Sequence, residues 1–181
     1  MAFTDDVDLI RRFKDGDRSA FEAIVLHYQD RIYNLCLYML KDTEDAREAA
    51  QDAFIKAHRN LKDFQPRAAL YTWLYRITVN TCLDYRRKTP AEALRGDDVL
   101  GALASNEPSP ERLTESRETA DAIQRALQEL SKELRAAIVL REIEGLPYEE
   151  IAEVLRVSVG TVKSRIARAR EALRTLLRGR V

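Results

Sequence analysis

The sequence predicts an all-α fold of two small helical domains, and three observations support that class. Apolar residues recur at three- and four-residue spacing in several segments, which is the period of an amphipathic helix. The chain of 181 residues has only six Gly and five Pro, so helix-breaking residues are few. One stretch loses the helical period and carries three of the five prolines. We therefore expect an N-terminal domain over 1–88, a flexible acidic linker over 89–117 and a C-terminal domain over 118–181.

The N-terminal domain is expected to contain three main helical segments. Apolar residues from Phe21 to Met39 form one stripe, which indicates one long helix or two in line. "DTEDAREAAQDAFIKAHRNL" follows, with Thr43 as its expected N-cap residue. After a loop marked by Pro66, a further helix is expected from Leu70 to Lys88. On a helical wheel its residues form two sets: Leu70, Trp73, Leu74 and Ile77 on one side, and Tyr75, Arg76, Val79, Arg86 and Arg87 on the other.

The helix predicted from Leu70 combines aromatic and cationic side chains, which suits stacking on unpaired bases and contact with a single strand. Two alternatives remain open on this helix. Trp73 lies on the side expected to be buried, so its ring fits a hydrophobic core as well as a base stack. Arg86, Arg87 and Lys88 could contact phosphate, or simply stabilise the negative end of a helix.

Net neutrality arises from a cancellation between regions of different charge. Residues 1–88 carry fifteen positive and fourteen negative side chains, and residues 89–120 carry three and seven. Residues 121–158 carry five positive and eight negative side chains, whereas residues 159–181 carry seven and one. One end of the chain is therefore suited to contact a polyanion, while the rest resists indiscriminate binding.

The C-terminal domain contains a helix-turn-helix pattern. Ser131 is expected to divide its first apolar segment into two helices, Gly145 to end the second, and Pro147 to lie in the first turn of the next. Tyr148, Ile151, Ala152 and Leu155 then share one face. Ser158 is the expected N-cap of the last helix, whose predicted inward stripe consists of Val162, Ile166, Ala169 and Leu173.

The outward face of the last predicted helix combines small and cationic residues. Gly160, Ser164 and Ala167 allow close approach to a DNA groove, while Lys163 and Arg168 reach base edges or phosphates. A solvated basic helix is the alternative. Cap, turn, inward stripe and small outward residues together favour DNA binding.

Other functional classes have little support in the sequence. Cys36 and Cys82 have no CxxC partner and are expected to be core residues, with a redox role as the alternative. His27 and His58 have no metal-ligand spacing, and no phosphate-binding glycine loop or nucleophile elbow is present. We therefore expect a protein with no catalytic residues, metal or cofactor. The chain has no signal peptide or membrane span, which favours a cytoplasmic protein without membrane insertion.

Three motifs occur in order across both domains: "DAREAAQDAFIKA", "LYTWLYRITVN" and "LREIEGLPYEEIAEVLRVSVGTVKSRIARARE". Together they resemble the bacterial extracytoplasmic-function (ECF) sigma factors of the sigma-70 family, with the envelope-stress type as the closest likeness. The first motif is similar to the family's polymerase-binding helix, the second to its promoter-melting segment and the third to its reader of the upstream promoter element. The resemblance implies a subunit that binds core RNA polymerase, recognises −35 and −10 promoter DNA and promotes strand opening. It also implies regulation by an anti-sigma factor.

The resemblance also implies roles for particular residues of this chain. Core polymerase would be bound by Asp45, Glu48, Gln51 and Phe54, with Glu48 standing where an Asp is usual. The −10 element would be opened and recognised by Tyr75, Arg76 and Asn80, with Arg86 and Arg87 near the duplex just upstream. The −35 element would be contacted by Thr161, Lys163, Ser164, Arg165 and Arg168.

The chain departs from the family pattern at a few of these places. Pro66 and Arg67 replace a loop that usually contains glycine and an acidic residue, so the preferred −10 base is expected to differ. Ser158 stands where related chains often have Pro, and Ala167 where a larger aromatic residue can occur. The −35 preference is therefore also expected to differ.

Two rival functions make different predictions. A stand-alone helix-turn-helix regulator, resembling response-regulator output domains, would bind palindromic sites as a dimer. A protein-interaction module whose basic helix binds an acidic partner would show little salt-dependent DNA binding. The sigma-factor interpretation predicts instead a monomer, two unlike promoter elements and weak DNA binding without polymerase. The helix around Asn80 disfavours both rivals.

Overall fold

Eight α-helices and one short 3-10 helix form the regular structure of the described residues, which are 4–65, 69–85 and 110–178 of a computed structural model. All regular elements in these ranges are helical, as the sequence predicts. The helices are α1 Thr4–Lys14, α2 Arg18–Leu40, α3 Thr43–Asn60, α4 Leu70–Asp84, α5 Pro110–Gln128, α6 Lys132–Glu142, α7 Tyr148–Leu155 and α8 Val159–Leu177, with the 3-10 helix at Leu61–Asp63.

The centre of the N-terminal half is α2, which packs against α1, α3 and α4. Its predicted apolar stripe forms one continuous helix, and the stripe is buried. The facing side of α3 is made of alanines, which let the two helix axes approach closely. The buried alanines of α3 are Ala46, Ala49, Ala50, Ala53 and Ala57.

Two boundaries in the N-terminal half differ from the sequence prediction. Asp42, and not Thr43, is the N-cap of α3, because its carboxylate accepts hydrogen bonds from the amides of Glu44 and Asp45, both at 2.9 Å. Helix α4 ends at Asp84, before the predicted end at Lys88, and Tyr85 has an extended backbone. Thr43 lies within the first turn of α3, where it is not required as a cap.

The C-terminal half follows the predicted helix boundaries more closely. Ser131 caps α6 through its hydroxyl, which accepts a hydrogen bond from the amide of Leu134. Gly145, at φ 70°, follows the end of α6 in the left-handed conformation that glycine adopts without strain. Pro147 is the N-cap residue of α7, one position before the predicted first turn. Helix α5 begins at Pro110, inside the segment predicted to be linker.

The two halves pack against each other in this structure. Helix α4 contacts α7, and α2 contacts both α5 and α6. Buried residues of both halves belong to one continuous apolar cluster. The domain boundaries 1–88, 89–117 and 118–181 stay a prediction, since 86–109 lie outside the described residues.

Candidate nucleic-acid interface

The helix-turn-helix of the C-terminal half is formed by α7 and α8. Arg156, at φ 53°, ends α7 in the left-handed region, and the amide of Val157 returns to the carbonyl of Ala152 at 3.1 Å. The Ser158 hydroxyl then accepts a hydrogen bond from the amide of Thr161 at 3.1 Å, which caps α8 as predicted. The tight turn and the cap together fix the direction of α8.

The two faces of α8 are separated as the sequence predicts. Val162, Ile166 and Ala169 are buried against α6 and α7, and Leu173 is half-buried. A methyl group in place of the Gly160 hydrogen would meet only the Ser158 hydroxyl, at an ordinary 3.7 Å. The fold therefore does not require glycine there. The outward side is exposed and consists of Gly160, Lys163, Ser164, Ala167 and Arg168.

The cations predicted for this face differ in their surroundings. Arg168 is exposed and forms no ion pair with any described residue. Lys163 is exposed, with its Nζ 5.9 Å from the centroid of the Tyr148 ring. Thr161 and Arg165 are half-buried. The predicted set is thus brought together on one helix, but only part of it is fully open to a ligand.

Tyr148 of α7 lies close to Lys163, a cation of the outward face of α8. The sequence did not predict this contact. Two cations lie near the Tyr148 ring: the guanidinium carbon of Arg141 is 4.8 Å and the Nζ of Lys163 is 5.9 Å from the ring centroid. Cations favour the face of an aromatic ring. The sequence predicted Tyr148 only as a residue on the apolar face of α7. Its proximity to Lys163 of α8 depends on how the two helices pack, which the sequence pattern does not show.

The helical-wheel prediction for α4 is wrong for Tyr75 and Val79. Both were placed opposite the apolar stripe, but Tyr75 is 0% exposed and Val79 is 1% exposed. Helix α4 packs against α2, α3 and α7, so more than one of its sides is covered. Trp73 is 9% exposed and packs against Phe64 with ring centroids 5.0 Å apart and the ring planes tilted by 58°, so it belongs to the core. Of the predicted −10 residues, Arg76 is half-buried and Asn80 is exposed.

Acidic side chains of the C-terminal half contact two tyrosines of α4, of which Tyr75 is buried and Tyr71 half-buried. The hydroxyl of Tyr75 donates to a carboxylate oxygen of Glu144 at 2.5 Å. The hydroxyl of Tyr71 donates to Glu150 at 2.5 Å. Arg31 of α2 completes the cluster, with its guanidinium 3.4 Å from Glu144 and its Cζ 5.7 Å from the Tyr75 ring centroid. The only sequence feature related to these contacts is the excess of negative over positive side chains in residues 121–158.

The four residues predicted to bind polymerase lie on α3 at three-residue intervals. Gln51 is exposed and Phe54 is half-buried. The hydroxyl of Tyr85 donates to Glu48 at 2.7 Å and to Asp45 at 3.4 Å. Tyr85 thereby connects the end of α4 to the acidic part of α3. Arg86, Arg87, Pro66 and Arg67 lie outside the described residues.

The two cysteines are buried neighbours in the N-terminal core. Cys36 of α2 and Cys82 of α4 are 0% and 1% exposed, and both are free. A hydrogen bond with Cys82, together with burial, raises the pKa of the Cys36 thiol. A protonated thiol is a poor nucleophile, so this environment supports the core role more than a redox role.

The buried tyrosines predict a loss of stability in alkali. Burial, with the neighbouring carboxylates of Asp6 and Glu144, raises the pKa of Tyr28 and of Tyr75 above the ordinary 10.0. Above about pH 10 the unfolded chain therefore loses protons that the folded chain retains, and the free energy of unfolding falls by about 1.4 kcal/mol per pH unit for each group. Urea unfolding at a series of pH values from 8 to 11 measures how the free energy of unfolding falls with pH. The Tyr28→Phe variant should lack the contribution of one titrating group to this slope, about 1.4 kcal/mol per pH unit. An unchanged slope in that variant would contradict the assignment.

Metal and membrane sites find no support among the described residues. No cluster of three or more His, Cys, Asp or Glu side chains suited to a metal ion occurs in that part of the chain. None of the described helices combines the length and apolar character needed to cross a membrane.

Comparison with known proteins gives matches in both halves. The family model for Sigma-70 region 2 matches residues 24–91, and that for Sigma-70, region 4 matches residues 120–173. The chain is 42% identical to the RNA polymerase sigma-H factor of Pseudomonas aeruginosa over 180 residues, covering 93% of this chain and 91% of the relative. It is also 42% identical to the ECF RNA polymerase sigma-E factor of Escherichia coli over 178 residues, covering 94% and 92%.

One solved structure is similar to this chain across both of its halves. It is the sigma factor RpoE in complex with the anti-sigma factor NepR from Bartonella quintana, with a TM-score of 0.67 and 25% identity. The alignment covers 88% of this chain and 97% of that one. The likeness therefore extends over both halves and not over the helix-turn-helix alone.

Proposed function

Because the chain belongs to the sigma-70 family of RNA polymerase sigma factors, in its ECF type, we propose that it binds core polymerase, directs it to promoters and promotes strand opening. The observation that carries the proposal is that the two halves of one chain present two unlike helical surfaces, each with side chains suited to nucleic acid. One is the exposed small and cationic face of α8, and the other is the aromatic helix α4 beside the acidic helix α3.

The C-terminal element recognises the −35 region in this proposal. Helix α8 enters the major groove with Gly160, Ser164 and Ala167 allowing close approach. Lys163 and Arg168 extend from the same side, and both are exposed. Long cations at these positions contact guanine edges or phosphates. The half-buried Thr161 and Arg165 contribute at the margin of this face.

The N-terminal element opens and recognises the −10 region. Asn80 is exposed on α4 and offers both a donor and an acceptor to a base. Arg76 lies one turn earlier and supplies a cation for an unstacked base. Tyr75 is 0% exposed in this structure, so its ring can take part only after the residues that cover it have moved away. Arg86 and Arg87 are assigned to the duplex just upstream. Binding of the flipped base and separated strand supplies the free energy of opening, so we propose no catalytic residue and no cofactor.

Core polymerase is bound by α3 through Asp45, Glu48, Gln51 and Phe54. The Tyr85 hydroxyl holds the two carboxylates of this set near the end of α4. Polymerase docking and −10 recognition therefore involve adjacent surfaces of two helices that pack against each other. The protein acts in the cytoplasm with its polymerase. The bound NepR in the related structure supports an anti-sigma factor as a second protein partner.

Transcription in vitro tests this function. Core polymerase free of any sigma factor is incubated with a genomic promoter library, with and without the protein, and start sites are mapped. We expect discrete starts only when the protein is present. If core is not redirected while the protein alone retards palindromic DNA, the stand-alone regulator replaces the sigma-factor proposal.

A further inference from the structure

The C-terminal end of α1 is fixed by contacts with α2 and α3. Phe13 is 5% exposed, and its ring centroid lies 5.7 Å from that of Phe21 and 5.3 Å from that of His58. Gly16, at φ 100°, lies just after the helix in the left-handed region that glycine adopts without strain. Lys14, the last residue of α1, lies between these two features. Its side chain therefore extends from a backbone of defined position.

Lys14 connects this helix end to a carbonyl that is 50 residues away in the sequence. Its ammonium group donates a hydrogen bond to the carbonyl oxygen of Phe64 at 2.6 Å. A charged donor forms a stronger hydrogen bond than a neutral one, although ordering a long lysine side chain offsets part of the gain. The bond joins α1 to the residue that ends the 3-10 helix Leu61–Asp63.

Phe64 is the residue from which the chain continues toward α4. Its backbone is extended, its amide donates to the carbonyl of Leu61 at 3.2 Å, and its side chain is 5% exposed. Its ring packs against Trp73 in the first turn of α4. Residues 65–69 separate Phe64 from the start of this helix. The amide, ring and carbonyl of Phe64 thus each have a partner, and Lys14 is the partner of the carbonyl.

We propose that Lys14 is a positioning residue for recognition of the −10 element, and that it acts through Phe64. The inference rests on the proposed function, because α4 carries Arg76 and Asn80, which are assigned to that element. A displacement of Phe64 changes its contact with Trp73 and so the position of the N-terminal end of α4. Lys14 acts in this way without contacting DNA.

The test compares three single variants of the full chain. Lys14→Met removes the donor and its charge but keeps an unbranched side chain. Lys14→Arg keeps a cationic donor. Arg11→Met is the matched control, because Arg11 is an exposed cation of the same helix whose ion pair is with Asp8 of α1. The control therefore removes the same charge without affecting Phe64.

The first measurement is hydrogen exchange of the free protein, which needs neither polymerase nor a promoter. Mass spectrometry of peptides covering residues 61–75 reports whether this segment is held in place. We expect about 5-fold faster exchange in Lys14→Met, since one charged hydrogen bond at an exposed side chain contributes modestly. Lys14→Arg and Arg11→Met should exchange like the unmodified protein. Unchanged exchange in Lys14→Met would overturn the positioning of Phe64.

The second measurement is transcription in vitro with core polymerase on three templates. One template matches both promoter elements, one has a base change in the −10 element, and one has a base change in the −35 element. The ratio of transcripts from matched and changed templates gives the discrimination at each element. We expect Lys14→Met to lower discrimination at −10 by about 5-fold and to leave discrimination at −35 unchanged. The other two variants should retain both.

Four results of the transcription measurement would overturn the inference. An equal loss on all templates would assign Lys14 to stability alone, and the same loss in Arg11→Met would assign the effect to general charge. If Lys14→Arg behaved like Lys14→Met, donation to Phe64 would not be the cause. Unaltered discrimination in Lys14→Met would remove the link to −10 recognition. The unmodified protein is measured on the same templates, and only its failure to direct core polymerase would contradict the proposed function itself.

Discussion

Replacing both Lys163 and Arg168 by alanine is expected to reduce transcription from promoters of this protein by about 100-fold. Both side chains are exposed on the outward face of α8, and a specific cation contact with a base is worth about 1–3 kcal/mol. Neither side chain belongs to the buried stripe, so the fold should be retained. Transcription in vitro with core polymerase and a cognate promoter measures the loss.

The matched control for this experiment removes two positive charges from the end of the same helix. Arg174 pairs with Glu171, and Arg178 is the C-cap residue of α8. The variant Arg174→Ala with Arg178→Ala is expected to change transcription by only a few-fold, because exposed charges away from the groove act by general attraction. An equal loss in both variants would show that charge alone, and not the face of α8, determines promoter use.

Replacing Arg135 by methionine is expected to lower the free energy of unfolding by about 3 kcal/mol. Arg135 is 8% exposed and donates to acceptors in both halves of the chain. These are the carbonyls of Met39, Leu127, Gln128 and Leu130 and the side-chain oxygen of Gln128. Methionine fills similar space but leaves these buried acceptors without that donor. Urea unfolding measures the change.

The control for Arg135 is an arginine on the surface of α5. Arg125 is exposed, and Arg125→Met is expected to change the free energy of unfolding by less than about 0.5 kcal/mol. If Arg135→Met is equally mild, the hydrogen bonds between the halves contribute little to stability.

The helix-turn-helix could be predicted from the sequence because its signals are local. Ser158 caps α8, and the buried spacing of Val162, Ile166 and Ala169 follows the helical period. Gly145 is the left-handed residue of the turn that follows α6. Each signal depends on residues within about one turn, so no knowledge of the rest of the chain was needed.

The environment of Tyr75 could not be predicted in the same way. A helical wheel assumes one buried side, but α4 packs against α2 and α3 and also against α7. The hydrogen bond between Tyr75 and Glu144 joins residues far apart in the sequence, and no local pattern reports such a pair. The same limit applies to the hydrogen bond from Arg135 to the carbonyl of Met39 at the end of α2.

The N-cap of α3 illustrates a smaller ambiguity. Asp42 and Thr43 are adjacent, and both types of residue are favoured as N-caps. Only the backbone shows that the carboxylate of Asp42 reaches the amides of Glu44 and Asp45. The error displaced the boundary by one residue and did not affect the predicted site on this helix.

Selection from promoters randomised in both elements, transcribed by core polymerase with this protein, tests the central claim most directly. The unmodified protein should enrich two unlike elements at a fixed spacing. Asn80→Ala should weaken preference only in the −10 element, and Lys163→Ala with Arg168→Ala only in the −35 element. A single palindromic element, or the same loss in both elements from either variant, would contradict the assignment of α4 and α8 to separate promoter elements.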